Sequence, residues 1–112
     1  MPTFSPGDIV RVPFPYTDRA VREHRPALVV SGPVGDEGAL VWVLMITSAD
    51  NRRWPGDIPL IEDHVACGLP APSLIRTSKI MTIEAREAER RGAIGLEQLA
   101  EVNAAMVDYL DW

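Results

Sequence analysis

Apolar residues fall into short segments separated by polar stretches, and the first of these segments alternates with a period of two, which is typical of β-strands. The first such segment runs from Asp8 to Pro13 and follows the turn pair Pro6-Gly7. Glycine and proline residues punctuate the sequence and separate the extended segments. Further strands are predicted at 26–31, 39–47, 57–61 and 73–83, the last with a bend near Thr77-Ser78. We therefore expect about six short, mostly antiparallel strands.

Two segments depart from this strand pattern. In the segment Leu96 to Leu110, Leu99, Val102, Met106 and Leu110 recur at spacings of three and four, which predicts one helix with an apolar core face. The segment 84–92 favours helix but has no apolar face, and we interpret it as a solvated turn of helix or a loop. The prediction is a mainly β fold, a small SH3-like barrel closed by a C-terminal helix. It forms a single domain spanning 1–112, because 112 residues suffice for one domain only.

The charge balance argues against binding nucleic acid through the overall field of the protein, because the formal net charge is −5. The negative charge is unevenly distributed. The first 53 residues hold six arginines and six acids, whereas the segment 84–112 holds seven acids and three arginines. The sequence thus allows a basic cleft on an acidic body. The alternative is a charge-mixed surface that serves only solubility.

Several kinds of site are disfavoured by the sequence. Cys67 is the single cysteine, so neither an internal disulfide nor cysteine-based zinc spacing is available, and we expect a reducing, cytoplasmic setting. The two histidines are forty residues apart, and no Gly-rich phosphate loop occurs, so we expect no metal and no cofactor. The longest apolar run, 39–46, is far shorter than the ~18 residues of a membrane span, and we expect neither export nor a membrane partner.

Polar residues at two strand ends suggest chemistry at a phosphate. His24 and Arg25 lie where the second strand begins, and Thr47 closes the third strand. If these strands form a hairpin through the turn at 35–38, Arg25 and Thr47 are neighbours at the opposite end. An arginine and a hydroxyl suit RNA cleavage, because RNA supplies its own 2′-OH nucleophile and needs positioning and charge stabilisation. The alternative is that Arg25 pairs with an acid such as Glu23 and that Thr47 caps a strand.

The loop Arg52-Arg53-Trp54 combines two cations with an aromatic ring. Proteins that bind single-stranded nucleic acid use this combination for backbone attraction and base stacking. Arg76, in a later predicted strand, could face the same cleft. The alternative is a solvated loop whose tryptophan folds back on the barrel.

Six sequence blocks in this order resemble the PemK/MazF-like toxins of bacterial toxin–antitoxin systems, and the match covers nearly the whole chain. The blocks are PGDIVRVPFPYTD, HRPALVVS, MITS, GDIPL, GLPAPSLIRTSKIMTI and IGLEQLAEVNAAMVDYL. The resemblance implies an SH3-like barrel of the PemK/MazF/CcdB type that is usually a homodimer. It also implies an endoribonuclease that cuts single-stranded RNA without a metal, leaving a cyclic phosphate and a 5′-OH, and that a cognate antitoxin neutralises.

Carried over by position, the resemblance places the family's functional arginine on Arg25 and its threonine on Thr47. His24 is a candidate for moving a proton. Ser78 stands where the family often has an aspartate, so no general base is assigned. The resemblance implies that the charged loops 17–24 and 48–56 contact RNA. Their arginines, with Arg11 at the strand edge, would form a basic cleft. The acidic tail of an antitoxin would lie in that cleft and block RNA. The residues expected to bind RNA are Arg19, Arg22, Ser48, Arg52, Arg53, Trp54, Arg76 and Ser78.

Two other functions stay open on the sequence. CcdB toxins share the fold and poison a topoisomerase through C-terminal residues that include a tryptophan, and this chain ends in Asp111-Trp112. The Arg-Pro and Ile-Thr-Ser pattern is however absent from CcdB proteins. The serine at position 78 also fits an inactive binding module of the same fold.

Overall fold

The computed structural model describes residues 3–15 and 22–110. These residues form six strands and one α-helix: β1 (Asp8–Pro15), β2 (Arg22–Val29), β3 (Leu40–Ser48), β4 (Ile58–Leu60), β5 (Ser73–Glu84), β6 (Glu89–Ala93) and α1 (Leu96–Leu110). Short 3-10 turns lie at Asp36–Gly38 and Ala85–Glu87. The strands pair antiparallel in the order β4-β5-β3-β2-β1-β6. The sheet curls into a half-barrel beside α1, so the predicted fold class is confirmed.

Both faces of the central strands are buried, because successive side chains of a strand point to opposite faces. One face carries a core that includes Val10 and Val43, and the other carries a core that includes Ile9 and Leu44. The helix α1 joins the second core through Val102, which is fully buried. No helix among the described residues is long and apolar enough to cross a membrane.

The predicted core stripe of α1 is correct at its centre and wrong at its end. Leu99 and Met106 are half-buried beside Val102, whereas Leu110 remains 57% exposed. The helix meets the sheet mainly at β5 and β4. The last turn still reaches β5 through Tyr109, whose hydroxyl lies 3.0 Å from that of Thr77, but Leu110 is exposed to solvent.

Two segments that the sequence assigned to loops are strands. The segment 84–92 forms a 3-10 turn and then β6, which pairs with Asp8–Arg11 of β1. Its charged residues are typical of an edge strand, where charge protects an open edge from association. Residues 22–24, predicted as a flexible connection, open β2, where His24 pairs with Pro13. Pro13 is tolerated because it lies beyond the part of β1 that β6 covers.

The predicted bend in β5 is a large bulge. Leu44 of β3 pairs with Ile80, but the next residue of β3, Met45, pairs with Arg76. The intervening residues Thr77, Ser78 and Lys79 leave the ladder, which re-aims their side chains. Thr77 is buried in this bulge, and its hydroxyl donates to the Gly56 carbonyl at 2.8 Å and lies 3.0 Å from the Tyr109 hydroxyl. The bulge therefore connects the loop at 49–57 to the end of α1.

Candidate functional site

The hairpin of β2 and β3 brings Arg25 and Thr47 to the same cleft. The ladder between β2 and β3 ends at the pair Ala27–Met45, and Arg25 and Thr47 each lie two residues beyond this pair. The connecting turn at Asp36–Gly38 lies at the other end of the hairpin. Both side chains line a cleft of about 260 Å³ and a neighbouring one of about 220 Å³.

The hydroxyl of Thr47 is oriented by a turn that follows β3. The Asn51 side-chain amide donates to the Thr47 Oγ1 at 2.5 Å. The turn is closed by the Asn51 backbone N–H donating to the Ser48 carbonyl, and the Ser48 Oγ accepts from the Asp50 N–H. Because the Thr47 oxygen already accepts a hydrogen bond, its own hydrogen is available to a bound anion. Sequence reasoning did not single out Asn51, although an Asn that closes a turn after a strand is a recognisable pattern.

Arg76 fixes the loop that carries the two other predicted cations. It is 6% exposed, and its Nη2 donates to the Arg52 carbonyl at 2.7 Å. Its Cζ lies 3.9 Å from the centroid of the Trp54 ring, within the range of a cation–π interaction. Trp54 stays 42% exposed and is therefore neither free in solvent nor folded into the core. One face of its ring is covered by the guanidinium of Arg76.

A third cleft, of about 380 Å³, lies on the other side of Arg25. Its cations come from three strands: Arg11 of β1, Arg25 of β2 and Arg91 of β6. His24 also lines it. His24 is thus next to Arg25 but does not share a cleft with Thr47.

Arg25 lines all three clefts, and the three together are called the trough below. Its basic residues are Arg11, Arg25, Arg52, Arg76, Lys79 and Arg91. Among the described residues that line the trough, none is Asp or Glu. A chain of net charge −5 therefore presents a locally basic trough, and a cleft lined by one sign of charge focuses the field on its ligand.

Two of the residues expected to bind RNA, Arg53 and Ser78, are described by the structure but do not line the trough. Arg53 is exposed outside it, with its Nη2 at 3.5 Å from the Asp57 carbonyl, and Ser78 is exposed on the β5 bulge. Arg22 opens β2, but its side chain lies outside the described part of the molecule, as does the whole of Arg19.

The described residues offer neither a metal centre nor a reactive thiol. Within 3–15 and 22–110, no three side chains of His, Cys, Asp or Glu form a group that could hold a metal ion. Burial raises the pKa of the Cys67 thiol, and the nearby charge of Asp63 raises it further. A thiol with a raised pKa stays protonated at neutral pH and is a poor nucleophile.

Comparison with solved structures shows the same fold in MazF proteins. The MazF structure (Form-I) from Deinococcus radiodurans has a TM-score of 0.74 at 20% identity, covering 100% of each chain. The MazE-MazF structure (Form-III) from the same organism has a TM-score of 0.72 at 20% identity, covering 95% of this chain and 94% of the other. An endoribonuclease in complex with its cognate antitoxin, from a mycobacterial species, has a TM-score of 0.68 at 18% identity and covers 95% and 93%.

Sequence comparison identifies the family directly. No curated protein matches the chain. The family described as PemK-like, MazF-like toxin of type II toxin-antitoxin system matches residues 5–110, which is nearly the whole chain. The chain therefore belongs to the PemK-like, MazF-like toxins of type II toxin–antitoxin systems.

Proposed function

We propose that this protein is a metal-independent endoribonuclease toxin that cuts single-stranded RNA by attack of the RNA's own 2′-OH. One observation carries the proposal: Arg25 and Thr47, from two adjacent strands, line the same cleft within a trough free of carboxylates among its described residues. The family assignment supports the toxin, and the endoribonuclease title of the mycobacterial neighbour supports the activity.

The proposed chemistry needs few groups from the protein. The 2′-oxygen loses its proton and attacks the adjacent phosphorus, the bond from phosphorus to the 5′-oxygen breaks, and that oxygen takes up a proton. The products are a 2′,3′-cyclic phosphate and a 5′-OH. The guanidinium of Arg25 stabilises the negative charge that develops on the phosphate oxygens. Thr47, oriented by Asn51, donates its hydroxyl hydrogen to one of those oxygens and fixes its position.

The shape of the trough favours a single strand. A single-stranded RNA bends into a groove and turns its bases outward, so that they can stack on an aromatic ring. Trp54 is 42% exposed and lines the cleft that holds Thr47. Arg52 and Lys79 line the same cleft and attract the backbone.

The test is cleavage of a long single-stranded RNA by the purified full-length chain in the presence of a chelator. We expect wild type to cut, and we expect Arg25→Ala to lower the rate about 10²–10³-fold, as loss of one charge-stabilising group does in other enzymes. Arg86→Ala is the matched control, because Arg86 is an exposed arginine paired with Glu84 outside the trough. Undiminished cutting by Arg25→Ala would refute the site. If wild type cuts no RNA, the proposed enzymatic activity is refuted, and an inactive binding module of the same fold is favoured.

We also propose that a cognate antitoxin blocks the trough with an acidic segment. Two of the structural neighbours are toxins solved with their antitoxins. A flexible acidic chain complements the six cations of the trough. Adding the antitoxin encoded beside this chain should therefore displace a labelled RNA. Simultaneous binding of both ligands would contradict this arrangement.

The homodimer expected from the family resemblance has a suitable surface. Trp42 and Ile80 are 45% and 49% exposed, and they are diagonal neighbours on the face of β3 and β5 where α1 packs. On α1, Leu96, Val107 and Leu110 share one side, away from its acidic residues. We propose that a second copy covers this apolar face. An Ile80→Glu variant should then sediment as a monomer, and an unchanged sedimentation coefficient would place the contact elsewhere.

A further inference from the structure

The largest described cleft of the trough, about 380 Å³, lies on the side of Arg25 away from Thr47, so the proposed reaction does not use it. It falls in the size range of small-molecule sites, about 300–1,000 Å³. The apolar residues Ile9, Pro26, Leu69 and Pro70 line it beside the three arginines and His24. This combination of flat apolar surface and converging cations suits a base together with a phosphate.

Backbone irregularities direct Arg91 into this cleft. In the pairing of β1 with β6, Ile9 faces Gly92, but the next residue, Val10, faces Arg90. Arg91 is therefore the extra residue of a β-bulge, a feature that re-aims a side chain. The sequence pattern alone predicts a loop or a helical turn for this segment, and Arg91 is not among the predicted site residues.

The opposite wall of the cleft is held against β6 by close backbone contacts. A Cβ on Gly92 would lie 2.0 Å from the Cys67 carbonyl oxygen, and a Cβ on Gly68 would lie 2.2 Å from the Arg91 carbonyl oxygen. Only glycine permits this approach, and Gly68 also has a φ of +86°. The cleft is therefore a built feature of the fold, with Gly68, Leu69 and Pro70 facing the three arginines.

The carboxylate nearest to Arg91 competes weakly for its guanidinium. Arg91 lies 3.4 Å from Glu89, and the two side chains are 44% and 64% exposed. Exposed pairs of this kind contribute little free energy and exchange readily. A phosphate that reaches Arg11 and Arg91 together can therefore displace Glu89.

We propose that this cleft binds the nucleotide that adjoins the scissile phosphodiester, with Arg11 and Arg91 holding its phosphate and the apolar wall holding its base. Arg91 is thus a substrate-binding residue that acts beside the reacting atoms. The inference rests on the proposed ribonuclease function, because Arg25 is shared between the two clefts.

The experiment compares binding of a short fluorescent single-stranded RNA, methylated at every 2′-oxygen to prevent cutting, by wild type, Arg91→Gln and Arg90→Gln. Arg90 is the matched control: it adjoins Arg91 on β6 but bonds to Asp8 and does not line the cleft. We expect Arg91→Gln to raise Kd about 10–100-fold, as expected for loss of a charge-assisted hydrogen bond. We also expect it to reduce the slope of log Kd against log salt by about 1. Arg91→Lys should recover part of both effects, and Arg90→Gln should resemble wild type.

Shortening the RNA from each end sharpens the test. Wild type should lose affinity when the nucleotide that occupies this cleft is removed, and Arg91→Gln should be insensitive to that same removal. Equal affinities of Arg91→Gln and Arg90→Gln would overturn the proposal. The proposal would also be overturned if Arg91→Gln weakened binding of a polyglutamate peptide but not of RNA. That result would assign the cleft to an acidic peptide.

Cleavage of unmodified RNA, measured in parallel, separates the two proposals. If wild type cuts RNA and Arg91→Gln binds and cuts like wild type, the nucleotide site is refuted and the ribonuclease stands. If binding depends on Arg91 but wild type cuts nothing, the ribonuclease is refuted, and the cleft is left as a nucleotide-binding site with no scissile bond beside it.

Discussion

The two ends of the trough are held in place by different means. At one end, called the clamp end, the loop with Asn51, Arg52 and Trp54 is fixed by side chains, above all by the buried Arg76. At the other end, called the strand end, Arg11 and Arg91 lie on β1 and β6, and the facing loop is fixed by backbone contacts at its Gly68 and at Gly92 of β6.

Because of this difference, we expect substitutions to have different effects at the two ends. The clamp end depends on a few hydrogen bonds and one stacked ring, so a single substitution can loosen it while the barrel stays folded. The strand end is continuous with the sheet, where added atoms meet backbone that cannot move aside. Damage at the strand end should therefore appear as lost stability, and damage at the clamp end mainly as lost order in the loop.

The largest effect is expected at Gly68. In Gly68→Ala, the new Cβ meets the Arg91 carbonyl in a left-handed backbone conformation. Left-handed strain and overpacking each cost about 1–3 kcal/mol, so we expect the free energy of unfolding to fall by about 2–6 kcal/mol. Denaturant titration measures it. Gly32→Ala is the control, because nothing lies within 4 Å of its Cβ. Equal stabilities of the two variants would show that backbone contact does not hold the strand end.

A smaller effect is expected from Arg76→Lys. Lysine keeps the charge but loses the planar stack on Trp54 and the geometry of the bond to the Arg52 carbonyl. We expect a loss of about 1–3 kcal/mol in the free energy of unfolding, together with a Trp54 ring more accessible to a fluorescence quencher. Lys79→Gln, in the same cleft, should stay within about 0.5 kcal/mol of wild type. If Arg76→Lys leaves both stability and quenching unchanged, the clamp does not depend on the guanidinium.

Removing the Tyr109 hydroxyl should also weaken the clamp end, although Tyr109 lies on α1 and does not line the trough. Tyr109→Phe deletes the partner of the Thr77 hydroxyl, which itself donates to the Gly56 carbonyl. We expect a loss of about 0.5–1.5 kcal/mol in the free energy of unfolding, the usual net value of one hydrogen bond. Asp108→Asn, on the exposed side of the same helix, is the control. A loss in both variants alike would point to the helix and not to this hydrogen bond.

The smallest effect concerns Cys67, which lies in the facing loop of the strand end. Because burial raises the pKa of this thiol in the folded state, its contribution to stability is complete below the pKa of the unfolded thiol and is lost as the pH rises through the folded pKa. Wild type should therefore lose stability relative to Cys67→Ala between neutral and alkaline pH. Parallel pH profiles would contradict this burial. In the native protein the thiol should also react slowly with a disulfide reagent.

Much of the fold was predictable because local patterns and tertiary packing agree. The apolar, β-branched run in 39–47 predicts β3, and the spacing of Leu99, Val102 and Met106 predicts α1. The strand β6 was missed because its Glu and Arg residues face solvent at a sheet edge and show no apolar alternation. Only the pairing with β1 makes it a strand, and single-sequence patterns do not contain that pairing.

The candidate site was predictable only where it lies on paired strands. The hairpin of β2 and β3 follows from its turn residues, so the proximity of Arg25 and Thr47 could be inferred. Arg91 depends on a bulge and Asn51 on a turn, and both are set by backbone geometry. Ser78 lies outside the trough because it belongs to the bulge in β5. Arg53 lies outside it because of the turn in which the Trp54 N–H donates to the Asp57 carboxylate.

The most direct test of the account is a double-mutant cycle on RNA cleavage with Arg25→Gln and Thr47→Val, measured as kcat/KM in chelator. If the guanidinium and the hydroxyl act on one phosphate, each substitution lowers the rate, and the double variant is faster than the product of the two separate losses predicts. Strictly multiplicative losses, or an unchanged rate in either single variant, would contradict the claim that Arg25 and Thr47 converge on one phosphodiester.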